Sequence, residues 1–597
     1  MIDAHAALRS SRRDLLLPLM VGATGHRDLD PDAVPDLTAK VHEIFLELRR
    51  NSPYTPIVVM SGLAEGADRL IARAALAAGI DAELIAVLPM DRETYIHDFE
   101  TPESIAEFDT LIGRAREIIT LDRSLHGGST NSDPGNDARM LAYQRLGRFL
   151  ASRCHVMVAL WDGERGQPGG TAEVVDRMLT RGSASDSGDG AAKTFNVAGP
   201  VFQIVTPRLR HAMRRPVERC DLLPQNDEFE AESPADSCRR HIFAPLERFN
   251  REVCALEAAE FAEIEASERD LVPDAVLMDP ELAPLRDGLM LIRRRFGIAN
   301  AIAQQNRDRT RRTLWELMAL VFLAALLVDL SMHVFNVIAW PRAEALTMIG
   351  YPTLMMAAFL LWWRVKRDQL QDRYQDFRAL AEGLRVQFFW RLAGVDDTVS
   401  DHYVGRHRWE LDWIRDLCRD ALVAAGWPLG KLTAGTAEIV RRYWVQAQCD
   451  YFTNAIRRQH RVLRRWELAN WLLLAAGLSL AAAVGAGALL ALHYNDLRWE
   501  RYLIGEHRAH GIVLVAITMT AVAAALSHFR LDKLALHSHV RMYQRMKLLY
   551  AAAREHMTDV AHPRFGPTLQ WLGAQALLEN GEWVVTHRDR PLEVPHH

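Results

Sequence analysis

Residues 15–21 (LLLPLMV) lead directly into residues 22–28 (GATGHRD), and this junction decides the fold of the N-terminal part of the chain. A short apolar run that ends in glycines is typical of a buried strand followed by a tight turn. Further runs of strand length alternate with stretches of helical periodicity, and they occupy residues 57–60, 84–88, 118–121, 155–160 and 201–206. This alternation predicts an α/β domain over residues 15–207 that is built on a parallel sheet.

Three of the predicted strands end in loops that suit an anionic ligand. Glycine lets the backbone approach a ligand closely, and a helix that begins after such a loop offers free amides. Because ligands lie beyond the carboxyl ends of the strands in an open parallel sheet, we expect the loops to converge. The candidate ligand-binding residues of these loops are Gly22, Thr24, Gly25, His26, Arg27, Ser61, Gly62, Glu65, Gly66, Asp68, Trp161, Gly163, Gly169, Gly170, Thr171 and Glu173. Arg139 and Tyr143 lie four residues apart on the helix predicted before the third loop, and they complete the candidate site.

Four apolar segments in the second half of the chain approach or exceed the roughly 20 residues that span a bilayer. They are residues 314–338, 345–363, 471–492 and 511–526. Lys and Arg are concentrated before the first and third segments and after the second and fourth. By the positive-inside rule, the segments form two hairpins whose ends lie in the cytoplasm. The sequence therefore predicts a multi-pass protein of the cytoplasmic (inner) membrane with both termini cytoplasmic, and with long cytoplasmic helices at 364–390 and 408–465.

The two predicted hairpins share a short repeat. The tripeptide WEL opens the first span at 315–317 and precedes the third at 466–468, which indicates a duplicated two-helix unit. Within the first span, Asp329 and His333 lie four residues apart. An ionisable side chain exposed to lipid costs about 2.5–3.5 kcal/mol or more. These two residues are therefore candidates either for lining a pore or for a structural position, paired together or at the outer interface.

The remaining boundaries follow from these segments. The predicted order after the α/β domain is a helical connector (208–290), the first hairpin with its arms (291–400), a cytoplasmic helical region (401–465), the second hairpin (466–555) and a C-terminal tail (556–597). Within the connector, the polar stretch 211–240 is expected to be irregular. Within the tail, residues 581–594 (GEWVVTHRDRPLEV) suggest a short strand pair.

Composition excludes several classes of function. A net charge of −5 gives no reason to expect a nucleic-acid partner. The six cysteines are scattered without paired spacing, so neither a metal site nor a disulfide framework is predicted. The first apolar run is too short for a signal peptide, which agrees with a cytoplasmic N-terminal domain.

Two of the motifs resemble a known superfamily. Residues 61–76 (SGLAEGADRLIARAAL) resemble the strand–loop–helix of the DNA-processing protein A fold, and residues 168–173 (PGGTAE) are similar to the PGG-x-GT-x-x-E motif of the lonely-guy phosphoribohydrolases. Both families belong to the SLOG superfamily of Rossmann-like nucleotide-binding domains. SLOG domains occur fused to two-helix membrane units called SLATT in bacterial conflict systems, and the duplicated hairpins resemble that partner.

This resemblance implies a sensor joined to a membrane effector. The ligand would be a nucleotide or an ADP-ribose derivative, supplied by a signal-synthesising enzyme, and no further cofactor is implied. Binding would shift a homo-oligomer towards a state that permeabilises the bilayer, in bacterial antiviral defence by abortive infection.

Two alternatives remain open. Residues 168–173 lack the inner glycine of the lonely-guy motif, so Glu173 is displaced from its place in that motif. If the site is catalytic, Glu173 would act at the anomeric centre and an arginine of the preceding helix would hold phosphate, as in a membrane-tethered nucleoside-monophosphate phosphoribohydrolase. The candidates for this arginine are Arg139, Arg145 and Arg148, and Arg139 is favoured because it shares a helical face with Tyr143. The other alternative is a nucleotide-regulated ion channel, which would resemble the melastatin-type channels and their SLOG-like N-terminal domain.

Overall fold

The computed structural model describes most of the chain and divides it into two compact units. The described residues are 12–121, 136–165, 169–180, 199–209, 216–223, 243–257, 260–335, 341–395, 397, 399, 414, 430–494, 507–533, 536–557 and 564–588. The first unit comprises Met1–Ile298 and Gly383–Lys431, and the second comprises Ala299–Glu382 and Leu432–His597.

A mixed, mainly parallel sheet forms the centre of the first unit. Its strands in the described residues are β1 (Leu19–Gly25), β2 (Ile57–Ser61), β3 (Ala82–Leu88), β4 (Glu117–Thr120), β5 (Val156–Leu160), β6 (Val201–Val205) and β7 (Glu218–Leu222). They are arranged in the order β4-β3-β2-β1-β5-β6-β7. All neighbours are parallel except β6 and β7, which are antiparallel. The chain builds outwards from β1 in one direction and then in the other, so the topological switch point lies between β1 and β5.

All six predicted strands are confirmed, but two features of the sheet differ from the prediction. β1 begins at Leu19, because Arg13–Leu15 forms a 3₁₀ turn, and it continues through Gly25 into the predicted loop. The sheet is mainly parallel as predicted, but the antiparallel β7 lies within the stretch expected to be irregular. β7 (ERCDL) is a partly exposed edge strand, so its sequence carries no apolar run that would reveal it.

Within the described residues, six α-helices lie between β1 and β6 along the chain. They are α1 (Val34–Asn51), α2 (Ala67–Ala75), α3 (Arg92–Tyr95), α4 (Pro102–Arg114), α5 (Asn136–Arg153) and α6 (Thr171–Leu179). The last two pack on one face of the sheet, where Leu146, Leu150 and Val174 join the buried side chains of Met20 and Met157. Because the central strands are buried on both faces, their sequences read as continuous apolar runs.

The connector is helical in its second half. Its helices are α7 (Ala244–Ala255), α8 (Glu260–Leu271) and α9 (Asp274–Leu277), and α10 (Arg286–Leu330) begins before its end. Asn250 on α7 attaches this region to the start of the sheet. Its side-chain oxygen accepts from Leu17 N at 2.8 Å, and its amide donates to Leu17 O at 2.8 Å.

The second unit contains the four apolar segments. Its helices are the remainder of α10, α11 (Pro341–Asp368), α12 (Leu370–Leu392, of which the part from Gly383 belongs to the first unit), α13 (Ala434–Val440), α14 (Ala447–Tyr494), α15 (His507–Lys533), α16 (Leu536–His556) and α17 (Phe565–Arg588), with π turns at Ser331–Phe335 and Arg441–Gln446. Within the described residues, four helices are long and apolar enough to cross a membrane, which confirms that part of the prediction. Residues 336–338 of the first predicted span lie outside the described residues.

Two predictions about the cytoplasmic helices need correction. The helix predicted over 364–390 is two helices, α11 and α12, separated at Gln369, whose φ is 48°. The strand pair predicted at 581–594 is wrong as far as Arg588, because α17 continues to that residue. Leu577, Asn580 and Val584 are all buried, and their spacing of three and four residues is that of a helix face. Most of 401–429 lies outside the described residues.

Candidate functional site

A cleft of about 860 Å³ opens at the carboxyl ends of β1 and β5. Its walls come from the loop after β1, the start of α2, the middle of α5, the loop after β5 and the start of α6. These two strands flank the topological switch point, where ligands bind in open α/β sheets. The sequence expectation that strand-end loops converge is met for the first and third loops, and in part for the second.

Backbone hydrogen bonds fix the loop after β1. His26 N donates to Leu160 O, and Ala67 N donates to His26 O, both at 3.0 Å. Gly66 caps α2 with φ 80°, and a Cβ placed there would lie 2.7 Å from His26 O. The first amide of α2 therefore already donates a hydrogen bond within the protein. It is not available to the anion that the sequence predicts at this helix end.

A charged network links this loop to the end of β5. His26 Nε2 lies 3.1 Å from Asp162 Oδ1, and Arg208 contacts Asp162 Oδ2 at 3.5 Å and Asp28 Oδ1 at 3.0 Å. Burial lowers the pKa of His26 more than Asp162 raises it, so the imidazole is neutral at pH 7. Burial tends to raise the pKa of Asp162, but the hydrogen bond from Glu164 N together with His26 and Arg208 holds it below its ordinary value. In this network the carboxylates of Asp28 and Asp162 therefore flank the guanidinium of Arg208.

A second network crosses the cleft. Arg27 Nη2 donates to Tyr143 Oη at 2.7 Å. Tyr143 Oη in turn donates to Asp98 Oδ2, and Arg139 forms an ion pair with Asp98 Oδ1. The cation of Arg139 is thus neutralised by Asp98, whereas Arg27 is held by a neutral hydroxyl.

Asp68 is a buried carboxyl group that faces the cleft from the first turn of α2. Burial raises its pKa to about 7, against the opposing effects of the Ala64 amide, Arg27 and Arg69. Near neutral pH this group is therefore divided between its neutral and charged forms. It can donate or accept a hydrogen bond at the cleft floor.

The start of α6 provides free donors on the opposite wall. Gly170 caps this helix without a side-chain hydrogen bond, and Thr171 and Ala172 of its first turn line the cleft. Glu173 is used elsewhere, since its carboxylate accepts from Gly169 N at 2.6 Å and from Arg177 Nη2 at 2.6 Å. Burial tends to raise the pKa of Glu173, but these two donors hold it below its ordinary value.

Two of the four arginines in the cleft wall lack a carboxylate partner among the described residues. Arg139 and Arg208 form the ion pairs given above, whereas Arg27 contacts the Tyr143 hydroxyl and ring and interacts electrostatically with the buried Asp68, which is only partly charged near pH 7. Arg165, next to the start of α6, has no ion pair in the described part of the chain. The cleft therefore presents two guanidinium groups that form no ion pair with a carboxylate among the described residues, together with the amides at the start of α6, which is a setting for a phosphate or a similar anion.

The structure places the sequence-predicted residues in two groups. Those that line the cleft are Thr24, Gly25, His26, Arg27, Asp68, Arg139, Tyr143, Trp161, Gly169, Gly170 and Thr171. Those outside the lining are Gly22, Ser61, Gly62, Glu65, Gly66, Gly163 and Glu173. Most of these others have structural contacts instead: Gly22 packs on Met157, Gly62 O accepts from Tyr95 Oη at 3.0 Å, and Glu65 Oε1 accepts from Glu100 N at 3.0 Å.

The sequence prediction missed Asp28, Asp98, Arg165 and Arg208. Asp28 directly follows the first loop, and Arg208 comes three residues after β6, so their positions at strand ends were a usable signal. Asp98 lies in the 3₁₀ turn Ile96–Asp98 and carries no such signal.

In the second unit, Asp329 and His333 lie together. Asp329 Oδ1 is 3.2 Å from His333 Nδ1, and Asp329 is 8% exposed. Asp329 Oδ2 is buried and has no hydrogen-bond partner among the described residues. This geometry agrees with the alternative in which Asp329 pairs with His333. It leaves Asp329 Oδ2 without a hydrogen bond among the described residues.

The described residues contain no group of three or more His, Cys, Asp or Glu that could hold a metal ion. In comparisons with known proteins, the chain matches no family model, no curated protein and no solved structure.

Proposed function

We propose that the chain is a membrane-embedded sensor-effector. A nucleotide-derived signal binds in the cleft between β1 and β5, and binding shifts a homo-oligomer towards a state that permeabilises the cytoplasmic membrane. The resemblance to SLOG and SLATT units supports a role in bacterial antiviral defence, downstream of an enzyme that makes the signal. The observation that carries the proposal is a cleft in which two arginines form no ion pair among the described residues, in the same chain as four apolar helices.

The chemistry of the cleft favours a phosphate joined to a ring. Arg27 and Arg165 supply charge, and the amides at the start of α6 supply directed donors for phosphate oxygens. Tyr143 and Trp161 offer flat apolar surface for a base or a ribose. A volume of about 860 Å³ is that of a site for a molecule of nucleotide or dinucleotide size. The ion-paired Arg139 and Arg208 position the walls of the cleft.

The membrane output requires that the ligand distinguish two states. A ligand moves a conformational equilibrium only by its difference in affinity for the two forms. Because the Arg27–Tyr143 and His26–Asp162 contacts link the loop after β1 to α5 and to the loop after β5, a ligand that replaces these contacts changes the positions of these three parts together. We place the coupling in this rearrangement.

The test is leakage of ions and dye from liposomes that contain the purified full-length protein, with a panel of cyclic nucleotides, linear nucleotides and ADP-ribose derivatives. We expect leakage with one ligand of the panel, and we expect Arg27→Gln and Arg165→Gln each to weaken the apparent affinity by about tenfold or more. The matched control is Arg219→Gln, which removes an arginine of the same unit that pairs with Glu47 and Asp221 outside the cleft. Leakage that is equal with and without every ligand, or that is unaffected by both cleft variants, contradicts the proposal.

A further inference from the structure

The repeated WEL tripeptide brings two tryptophans together around one arginine. Trp315 and Trp466 have ring centroids 5.7 Å apart. The guanidinium carbon of Arg530 lies 4.0 Å from the Trp315 centroid and 4.5 Å from the Trp466 centroid. Three helices thus meet at this cluster, since the tryptophans belong to α10 and α14 and the arginine to α15.

The positive charge of this cluster is not neutralised within the described residues. Arg530 has cation–π contacts there but neither a hydrogen bond nor an ion pair with a carboxylate. Arg311 lies one helical turn before Trp315 and is close enough to repel Arg530 electrostatically. Arg311 is exposed and also has no ion pair in the part of the chain that the structure describes. Two like charges held together in this way are stabilised by an anion between them.

Stacking leaves the donors of Arg530 available. A guanidinium that packs its faces on aromatic rings keeps its N–H groups in its plane, where they match the oxygens of a phosphate in a bidentate arrangement. Trp315 is 46% exposed, so the cluster is open on one side. The indole rings also fix the guanidinium in one orientation, which lowers the entropy that binding would otherwise cost.

The cluster lies at one end of three of the four apolar segments. Trp315 opens the first segment, Trp466 precedes the third, and Arg530 follows the fourth. The positive-inside asymmetry of the sequence predicts that this end faces the cytoplasm. Tryptophans with arginines at this depth lie among lipid headgroups, and basic pockets between spans on the cytoplasmic side bind anionic headgroups.

We propose that Arg530 and Arg311, with Trp315 and Trp466, form a binding site for the phosphate of an anionic phospholipid. The lipid phosphate bridges the two guanidinium groups and its acyl chains run along the apolar helices. The site holds α10, α14 and α15 together at the membrane surface, so bound lipid stabilises the four-helix arrangement. This inference depends on the apolar helices and is independent of the cleft and of the proposed signal.

The test uses the detergent-solubilised full-length protein, titrated with short-chain phosphatidylglycerol while thermal unfolding and direct binding are measured. We expect a saturable rise in the unfolding midpoint, and a smaller one with short-chain phosphatidylcholine. Arg530→Gln and Arg311→Gln should each weaken the apparent affinity for phosphatidylglycerol by about fivefold. Arg530→Lys keeps the charge but loses the planar fork, so we expect an intermediate loss, and this variant remains informative if Arg530→Gln fails to fold.

The matched control is Arg458→Gln. Arg458 is exposed on α14 eight residues before Trp466, about 12 Å along the helix, and lies outside the cluster. If Arg530→Gln weakens lipid binding no more than Arg458→Gln, the attraction is a general property of the basic surface and the proposed site is wrong. If inorganic phosphate at matched ionic strength stabilises the protein as strongly as phosphatidylglycerol and displaces it, the site takes a soluble phosphate and the lipid assignment is overturned.

Discussion

Arg27 and Tyr143 are 116 residues apart in sequence, yet Arg27 Nη2 donates a 2.7 Å hydrogen bond to Tyr143 Oη, and the guanidinium carbon lies 5.1 Å from the centre of the ring. The contact joins the loop after β1 to α5 across the mouth of the cleft. Tyr143 Oη also donates to Asp98, so the hydroxyl lies between the Arg27 guanidinium and a carboxylate already paired with Arg139. The position of Arg27 in the cleft thus depends on Tyr143.

Tyr143→Phe should keep the ring beneath Arg27 and remove only the hydroxyl. We expect the unfolding free energy of the protein to fall by about 2 kcal/mol, because the hydroxyl forms two hydrogen bonds, one from Arg27 and one to Asp98. Arg27 then loses its fixed position, so the ligand found in the leakage screen should bind about fivefold more weakly. Thermal unfolding and a ligand titration check both. Unchanged affinity in Tyr143→Phe would show that this contact does not organise the site.

Gly66→Ala should distort the cleft, although Gly66 does not line it. Gly66 has φ 80°, which an L-residue adopts at a cost of about 1–2 kcal/mol, and its new Cβ would meet the carbonyl oxygens of His26 and Arg27. We expect a loss of about 2 kcal/mol or more in stability, with weaker ligand binding, because the loop after β1 is displaced. The control is Gly113→Ala in α4, where a Cβ meets nothing within 4 Å. That substitution should be neutral or stabilise the helix, as measured by thermal unfolding.

The predicted and observed site residues differ because tertiary hydrogen bonds already occupy some of the predicted groups. Apolar runs such as residues 155–160 reveal buried strands, and the strand ends then indicate where loops converge, so the first and third loops were predicted well. Most predicted residues of the second loop lie outside the cleft lining. The amide of Ala67 donates to His26 O, and Glu65 accepts from Glu100 N. These are tertiary contacts, and the local sequence of a glycine-rich loop does not contain them.

Two elements, β7 and α17, could not be predicted from the sequence, and each case has a physical cause. β7 has the composition of a partly exposed edge strand, so its pairing with β6 is decided by backbone hydrogen bonds and leaves no hydrophobic period. α17 contains Trp583 and Val584 in a run of β-branched and aromatic residues, which favours a strand by propensity. Burial of both side chains, with the Trp583 ring 5.4 Å from that of Tyr374, stabilises the helix instead.

Asp68→Asn should change how stability depends on pH. Burial raises the pKa of Asp68 to about 7 in the folded state, whereas an unfolded aspartate titrates near its ordinary value of 3.8. Between these values the folded protein keeps a proton that the unfolded chain releases, so the contribution of Asp68 to stability falls as the pH rises from about 4 to about 7, by at most about 4 kcal/mol. Above pH 7 it stays constant.

The Asn side chain cannot lose that proton. The unfolding midpoint of Asp68→Asn relative to that of the wild type should therefore be higher at pH 8 than at pH 5. Thermal unfolding of both proteins at the two pH values measures this difference. If the difference is the same at both, the folded-state pKa of Asp68 is not raised as the structure indicates.

Glu173→Gln tests whether the cleft turns over its ligand. The Glu173 carboxylate is held by Gly169 N and Arg177 and lies outside the cleft lining, so it is poorly placed to act at an anomeric carbon. We expect no free base to be released from any nucleoside monophosphate by the wild type, and Glu173→Gln should weaken ligand binding by loosening the start of α6. Chromatography of the incubated nucleotides checks this. Base release that is lost in Glu173→Gln would favour the phosphoribohydrolase instead.

Asp329→Asn distinguishes a paired carboxylate from a pore-lining one. Asp329 is 8% exposed and its Oδ1 lies 3.2 Å from His333 Nδ1, so the charge faces its neighbour rather than open water. A carboxylate that lines a pore attracts cations, and its removal would change the ratio of potassium to chloride flux. We expect that ratio to be unchanged in liposomes triggered with the ligand from the leakage screen, while the unfolding free energy falls by about 1 kcal/mol. A change in the flux ratio without a change in stability would instead assign Asp329 to the conduction path.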